Sequence, residues 1–254
     1  MLEVRLAGKG NILDLYTGCC PEEAKYQEAL KKSAELFLKK QRNGWTGLVA
    51  YNEGKPVGRV EFYPLEESFA GISGENLYFM PCINMLSGYR QKGYGRKVIE
   101  ELLKATSDRK GVVTWTVVEG WMPSKFFEKM GFEVVWQKDP LVLLLYKHQA
   151  DAKAKMMKSK FNPNNKPDKI NIDVVWSRSC PYMIVNYEKL IQKVKQLSPA
   201  VKITEYFLRE RNDLKKYGEM NFYVDGETPF MGPASEEEVE KVVKEHLKKK
   251  GLRM

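Results

Sequence analysis

Two hundred and fifty-four residues, 43% hydrophobic and 11% aromatic, suffice for one large domain or two of ordinary size. With 30% charged residues, 12 prolines and 19 glycines the composition is globular, which excludes wholesale disorder and collagen-like repeats. The net charge of +9 raises the question of a nucleic-acid partner, but most of the surplus lies beyond residue 150. Lys153, Lys155, Lys158, Lys160, Lys166 and Lys169 crowd one stretch there, opposed only by Asp151 and Asp168. No nucleic-acid reading motif accompanies that run, so it is a solvated connector and nucleic acid is not expected.

The longest apolar run, 141–146, falls far short of the roughly 20 residues of a membrane-spanning helix. The start, Met1-Leu2-Glu3-Val4-Arg5, lacks a basic-then-apolar leader pattern. A cytoplasmic protein without membrane association is expected. Cys19, Cys20, Cys82 and Cys180 include no CxxC pair and stand beside only His148 and His246. Neither a disulfide framework nor a metal site is expected, and the adjacent Cys19 and Cys20 are poorly placed to bond each other.

In chain order, Pro21-Glu22-Glu23 suits the first turn of a helix, followed by Tyr26, Ala29, Leu30, Ala34, Phe37 and Leu38 at helical spacing. Residues 46–51 and 57–63 read as strands joined through Asn52-Glu53-Gly54-Lys55-Pro56, a hairpin by its turn chemistry. A strand over 77–85, a helix over 96–105 with Val98, Ile99, Leu102 and Leu103 on one face, and a strand over 112–118 come next. Then come a short helix over 124–130 stopped by Gly131 and a strand pair over 132–136 and 141–146. The segment 161–168, with Pro163 and Pro167, is a composition break. Beyond it the pattern predicts a strand over 170–176, a helix over 184–197, a strand over 201–208, a hairpin of 222–224 with 228–231 about Asp225-Gly226, and a last helix opened by the capping box Ser235 to Glu238.

The most informative stretch is Ser87-Gly88-Tyr89-Arg90-Gln91-Lys92-Gly93-Tyr94-Gly95-Arg96, between a strand and a helix. Glycines admit a ligand close to the backbone, successive N–H groups form an anion nest, and the helix N-terminus adds positive charge, so a phosphate or pyrophosphate is the natural guest. Arg90, Lys92 and Arg96 add cations. Tyr94-Gly95 stands where a Walker loop needs Lys-Ser or Lys-Thr, and GxGxxG is absent, which disfavours nucleoside triphosphates and NAD. The competing reading is a glycine-rich connector.

Arg90-x-x-Gly93-x-Gly95 opening an amphipathic helix resembles the acetyl-CoA pyrophosphate signature of the GNAT acetyltransferase superfamily. Phe126 to Glu133 is similar to that family's late helix-to-strand motif, Cys82-Ile83-Asn84-Met85 occupies its central strand, and the element order over about 1–147 matches. The resemblance implies an α/β (α+β) fold, a GNAT-like acyl-CoA N-acyltransferase mixed sheet flanked by helices. It implies acetyl-CoA as cosubstrate, with the amides of Gln91, Lys92, Gly93, Tyr94, Gly95 and Arg96 on the pyrophosphate, the strand at Ile83 and Met85 along the pantetheine arm, and a small-molecule or peptide amine as acceptor. Glu61, in Arg59-Val60-Glu61-Phe62-Tyr63, is the proposed base, against an outward-facing strand carboxylate; Glu75 is weaker. The sequence departs from the family where a tyrosine often serves as acid: Phe127 stands there, and Gly120 and Pro123 replace the usual asparagine and alanine. Water, Tyr78 or Tyr89 is left to supply that proton. The first long helix borders the substrate side of the resembled fold.

In the last third, Ser177-Arg178-Ser179-Cys180-Pro181-Tyr182-Met183 resembles the CPYC loop of glutaredoxins, with Met183 in place of the second cysteine. Gly218-Glu219-Met220-Asn221 leads into Phe222 without the proline that thioredoxin-like folds keep before their third strand, Pro229 coming after the turn. A thiol at a helix N-terminus is the kind of group that becomes reactive, and an inert Cys180 is the alternative. A GNAT domain followed by a degenerate thioredoxin-like domain resembles the YoaP-type acetyltransferases. The expected organisation is a GNAT-like domain over 1–148, a basic linker over 149–169 and a YoaP-like, thioredoxin-like domain over 170–254. The expected function is N-acetyl transfer, with a thiol redox protein centred on Cys180 or a non-catalytic acyl-CoA sensor as alternatives.

Overall fold

The computed structural model describes residues 2–17, 24–158, 160–228, 230 and 234–253. They divide into two compact units, Met1–Ser68 with Ile72–Met157, and Phe69–Gly71 with Lys158–Met254. The expected helix start at Pro21-Glu22-Glu23, the pair Cys19 and Cys20, and Pro229 and Met231 of the expected hairpin lie outside the described residues.

The first unit is built on a seven-stranded mixed sheet. In chain order its elements are β1 (Leu2–Leu6), α1 (Ile12–Thr17), α2 (Ala24–Lys40), β2 (Thr46–Asn52), β3 (Lys55–Pro64), β4 (Ile72–Gly74), β5 (Leu77–Met85), α3 (Tyr94–Ala105), β6 (Gly111–Val117), α4 (Ser124–Glu128), β7 (Glu133–Lys138), β8 (Leu141–Lys147) and β9 (Ala154–Met156). The sheet order is β1-β2-β3-β5-β6-β8-β7, and the short β4 pairs separately with β9. β2 and β3 form the expected hairpin across the two-residue turn Glu53-Gly54, with φ of 52° and 77°, the left-handed pair that suits a twisted ribbon.

Strand alternation sorts the apolar side chains onto two faces. On one, Leu48, Ala50, Val60, Phe62, Met80, Ile83, Met85, Val112, Val142 and Leu144 pack with Val98, Ile99 and Leu102 of α3 and Phe127 of α4. On the other, Trp45 stacks on Tyr63 at 4.1 Å and meets Phe37 of α2 edge-on, while Tyr63 meets Phe79. Each fully buried ring or branched chain contributes on the order of 1.5–3 kcal/mol, so the sheet is held from both sides.

Two features of β5 position the site. Its register against β3 slips between Glu61/Cys82 and Tyr63/Phe79, so one residue of β3, Phe62, opposes two of β5. The extra residue falls at Met80-Pro81, where proline has no N–H to pair. Its parallel pairing with β6 runs only from Leu77/Gly111 to Met80/Thr114, although β5 continues to Met85 and β6 to Val117. Beyond that last pair the two strands part, and the sheet has a fork in its middle.

The second unit holds β10 (Ile170–Trp176), α5 (Pro181–Leu197), β11 (Val201–Phe207), α6 (Asp213–Tyr217), β12 (Asn221–Val224) and α7 (Glu236–Lys249). Its sheet runs β11-β10-β12, with β10 parallel to β11 and antiparallel to β12. Ile170, Ile172 and Val174 pack against Tyr187, Leu190, Ile191 and Val194 of α5 and Val239, Val243 and Leu247 of α7. The expected capping box is formed, Ser235 and Glu238 exchanging side-chain to backbone hydrogen bonds. At Asp225-Gly226 the described residues form a bridge between Val224 and Glu227.

The stretch 149–169, expected as a linker, is structured. β9 within it pairs with β4 in the first unit. In the second unit Asn164 donates from its backbone N and Nδ2 to the buried Asp173, and Phe161 packs edge-on against Tyr206 and Tyr223. These side chains cover the face of β10 opposite its helices. A strand carboxylate there needs donors when buried, and the chain preceding β10 supplies them.

Candidate active site

The loop between β5 and α3 carries the clearest ligand chemistry. Leu86 to Tyr89 make one tight turn, Tyr89 N donating to Leu86 O and Arg90 N to Ser87 O, and the next backbone bond is Lys97 N to Gly93 O at 3.2 Å. Among the described residues, the six amides from Gln91 to Arg96 therefore have no backbone acceptor. Gly93 is the N-cap residue of α3 with φ 77° and no side-chain cap, and Gln91 has φ 60°. Alternating left-handed residues turn successive N–H groups inward, and the helix axis adds its positive end, so this is an anion site made of backbone. Gly93 faces open space and is the residue that adopts this φ without strain.

The neighbouring side chains close the loop. Tyr94 OH donates to Asn52 Oδ1 at 3.3 Å, Tyr89 stacks near Tyr94, and Lys92 lies over the Tyr89 ring at 5.4 Å. Arg90 is engaged with the protein: its Nε donates to Met85 O at 2.9 Å and its Nη2 to Asn84 Oδ1 at 3.3 Å. It thereby pins the end of β5 to the loop. Arg96 is exposed. Ile83 and Met85 point into the α3-side core, so their backbone, rather than their side chains, lines the fork. A Cβ on Gly58 would collide with the Met85 side chain, which is why a glycine stands opposite it in β3. Phe126 reaches over Gly95, a Cβ there meeting its ring at 3.5 Å.

On the opposite face lies Glu61. It is 3% exposed and ion-paired with Arg59, itself 2% exposed, so the outward-facing strand carboxylate is ruled out. Arg59 Nη2 lies 3.2 Å from Cys82 Sγ, and its guanidinium stands over the Tyr16 ring of α1 at 5.4 Å. Arg59 and Glu61 share this face because they are two apart on one strand. That spacing is the one signal in the sequence for the ion pair, which sequence reasoning missed. Glu61 and Cys82 are register partners beside the fork.

The candidate acids fall differently. Phe127 is wholly buried against Phe126 and Phe132. Tyr78 lies on the paired part of β5, its OH 3.4 Å from Asp108 Oδ2 and its ring under Arg109. Burial, then the Asp108 charge, raise its pKa. Glu75 precedes β5 at the closed end of the fork. Cys180 is the N-cap residue of α5, with Pro181 next to it. Beside it Ser177 and Ser179 share a hydroxyl hydrogen bond, and Ser177 Oγ lies 3.2 Å from Met220 Sδ. Among the described residues no cluster of three or more His, Cys, Asp or Glu side chains is arranged for a metal ion, and no helix is long and apolar enough to cross a membrane.

Residues 11–132, just under half of the chain, match the model of the acetyltransferase (GNAT) family. The sequence matches none of the curated proteins. Among solved structures the chain is similar to the PaiA N-acetyltransferase of Thermoplasma acidophilum in complex with coenzyme A (15% identity, 58% of this chain and 99% of that one, TM-score 0.45). It is similar also to the ribosomal-protein-S18-alanine N-acetyltransferase of Escherichia coli (11%, 59% and 95%, 0.43) and to a GNAT family acetyltransferase of Brucella melitensis in complex with acetyl-CoA (16%, 60% and 94%, 0.40). The stretch that matches the acetyltransferase (GNAT) family model carries the amide loop, the fork and Glu61.

Proposed function

We propose that the first unit transfers the acetyl group of acetyl-CoA to a primary amine. The observation that carries this reading is the run of six acceptor-free amides at the start of α3, next to the place where β5 and β6 part. The amides suit a pyrophosphate, and the parted strands offer backbone groups to a chain with amides of its own, as pantetheine has. The family match over residues 11–132, which spans both the amide loop and the fork, supports the same reading.

In the mechanism proposed, Gln91 to Arg96 hold the pyrophosphate and the fork aligns the thioester with the acceptor. The amine reaches the site as an ammonium and gives one proton to Glu61, whose charge Arg59 balances in the resting state. The neutral nitrogen attacks the thioester carbonyl carbon, the C–N bond forms, and the C–S bond breaks with its electron pair on sulfur. The second nitrogen proton passes to the thiolate through water: Phe127 has no proton to give, Tyr78 lies on the paired part of β5, and Tyr89 is stacked near Tyr94 in the amide loop with Lys92 over its ring. Backbone N–H groups of parted β5 would stabilise the carbonyl oxygen as charge develops there.

The second unit is proposed as an accessory thioredoxin-like module of the YoaP type. Its β10-α5-β11 crossover with antiparallel β12 at the other edge, and Cys180 at the start of α5, support that reading. The test of the whole proposal is release of CoA thiol from acetyl-CoA across a panel of primary amines. Amine-dependent release that falls about 10²-fold in kcat in Glu61→Gln is expected; release indifferent to every amine contradicts acetyl transfer.

A further inference from the structure

The face of the sheet opposite α3 carries the chemistry that would select an acceptor, on the acetyl-transfer reading proposed above. α3 and the amide loop occupy one face of the fork, so an acceptor meets the thioester from the other. The side chains there are set by alternation. Val112 belongs to the α3-side core, so Val113, Trp115 and Val117 point the other way. Val142 and Leu144 do likewise for Leu143, which is the register partner of both Trp115 and Trp136. Trp115, Leu143 and Trp136 therefore form one row across β6, β8 and β7, and the two indoles meet edge-on at 5.8 Å. Trp115 directly succeeds Thr114, the last residue of β6 paired to β5. Across the fork, on the same face, stand Glu61 and its partner Cys82.

The fork is thus flanked by a carboxylate on one side and by two half-buried indoles on the other. Among the described residues of the strands that border the open end of the fork, β5 and β6 with their neighbours β3 and β8, Glu61 is the one carboxylate on this side, and Arg59 already balances it. Two residues after Trp136 comes Lys138, which alternation puts on the same face and which is exposed. Such a wall has room for one cation and repels a second, whereas a flat apolar body gains contact area and ring interactions with the indoles.

We infer that the acceptor is a monoamine carried on an aromatic or flat apolar group, its ring against Trp115 and Trp136 and its nitrogen toward Glu61. A polyamine or an aminoglycoside, with several ammonium groups, does not fit this charge pattern.

The experiment compares 2-phenylethylamine and tryptamine with spermidine and kanamycin as acceptors at saturating acetyl-CoA, with acetyl-CoA affinity measured separately by titration. The arylamines are expected to exceed the polycations in kcat/KM by about 100-fold. Trp115→Ala and Trp136→Ala are each expected to raise the KM for 2-phenylethylamine about 10-fold at unchanged kcat and unchanged acetyl-CoA affinity, and Trp115→Phe to restore most of the loss. Preference for spermidine or kanamycin, or tryptophan variants with unchanged KM, overturns the acceptor assignment while leaving acetyl transfer standing. Failure of acetyl-CoA to bind overturns the acetyl-transfer reading and this assignment with it.

Discussion

Thr114 Oγ1 donates to Met80 O at 2.7 Å, and the same two residues form the last backbone pair between β5 and β6. The apex of the fork is therefore fastened by a buried hydroxyl as well as by the ladder. Thr114→Val keeps the shape and removes the bond, for a loss of about 1 kcal/mol and a fall of several degrees in Tm. Acetyl-CoA affinity is expected to fall with it, and Thr114→Ser to retain both. Unchanged affinity in the valine variant would detach the cosubstrate site from the fork.

The Arg59–Glu61 pair is buried on both sides, so removing one member leaves the other charge without its counter-ion. Arg59→Met is expected to cost about 3–5 kcal/mol in urea unfolding, and the double variant Arg59→Met/Glu61→Leu to recover much of it. Equal losses in the single and double variants would contradict the pairing as the source of the effect.

In the second unit, Asp225 accepts from Asn171 N, Asn171 Nδ2 and His246 Nδ1 and ion-pairs with Lys250, tying α7 to β10. Burial acts to raise its pKa, but these hydrogen bonds together outweigh it and hold the carboxyl below its ordinary value. The folded form keeps its charge to lower pH than the unfolded chain. The stability this contributes is present above the unfolded pKa of about 4 and is lost as pH falls through the folded value. Asp225→Asn is expected to lower stability at neutral pH and to flatten the acid limb below about pH 4, read from unfolding midpoints against pH.

Glu219 shows the opposite sign. Burial pushes it up to about 7, with Arg211 pulling the other way. Between its ordinary 4.5 and about 7 the folded state holds a proton that the unfolded chain has released, so stability falls as pH rises through that window and is level above it. Glu219→Gln is expected to stabilise the unit at pH 8 by about 1–3 kcal/mol and to remove the slope. A slope that persists in the variant belongs to another group.

How far these sites are legible in the sequence depends on the range of the interactions that make them. β2, β3 and β5 come from alternation, and the anion loop from Gly93 and Gly95 ahead of an amphipathic helix, all local patterns. β1 is equally local, since Leu2, Val4 and Leu6 alternate with Glu3 and Arg5, but five residues at the chain start carry little pattern by themselves. The six-residue α1 has a single stripe, Ile12, Leu15 and Tyr16, too short to stand out. The fork is not readable, because the parting of β5 from β6 is a relation between segments some thirty residues apart. The same holds for Phe161 and Asn164, whose polar, proline-rich surroundings suggest a tether until Asp173 and the rings of Tyr206 and Tyr223 are seen beneath them.

Cys180 separates acetyl transfer from thiol chemistry. Cys180→Ser is expected to leave amine-dependent CoA release unchanged, because the proposed reaction uses no group of the second unit. Loss of that activity in the serine variant, with folding intact, would bring the thiol into the reaction.

The central claim is tested most directly by calorimetric titration of the protein with acetyl-CoA, alongside Gly93→Glu. The variant puts a carboxylate at a residue with φ 77° in the middle of the amide nest, facing open space. Micromolar binding by the native chain, abolished in a variant that still folds, is the predicted result. Equal affinity in the two proteins would contradict the assignment of the 91–96 amides to the pyrophosphate.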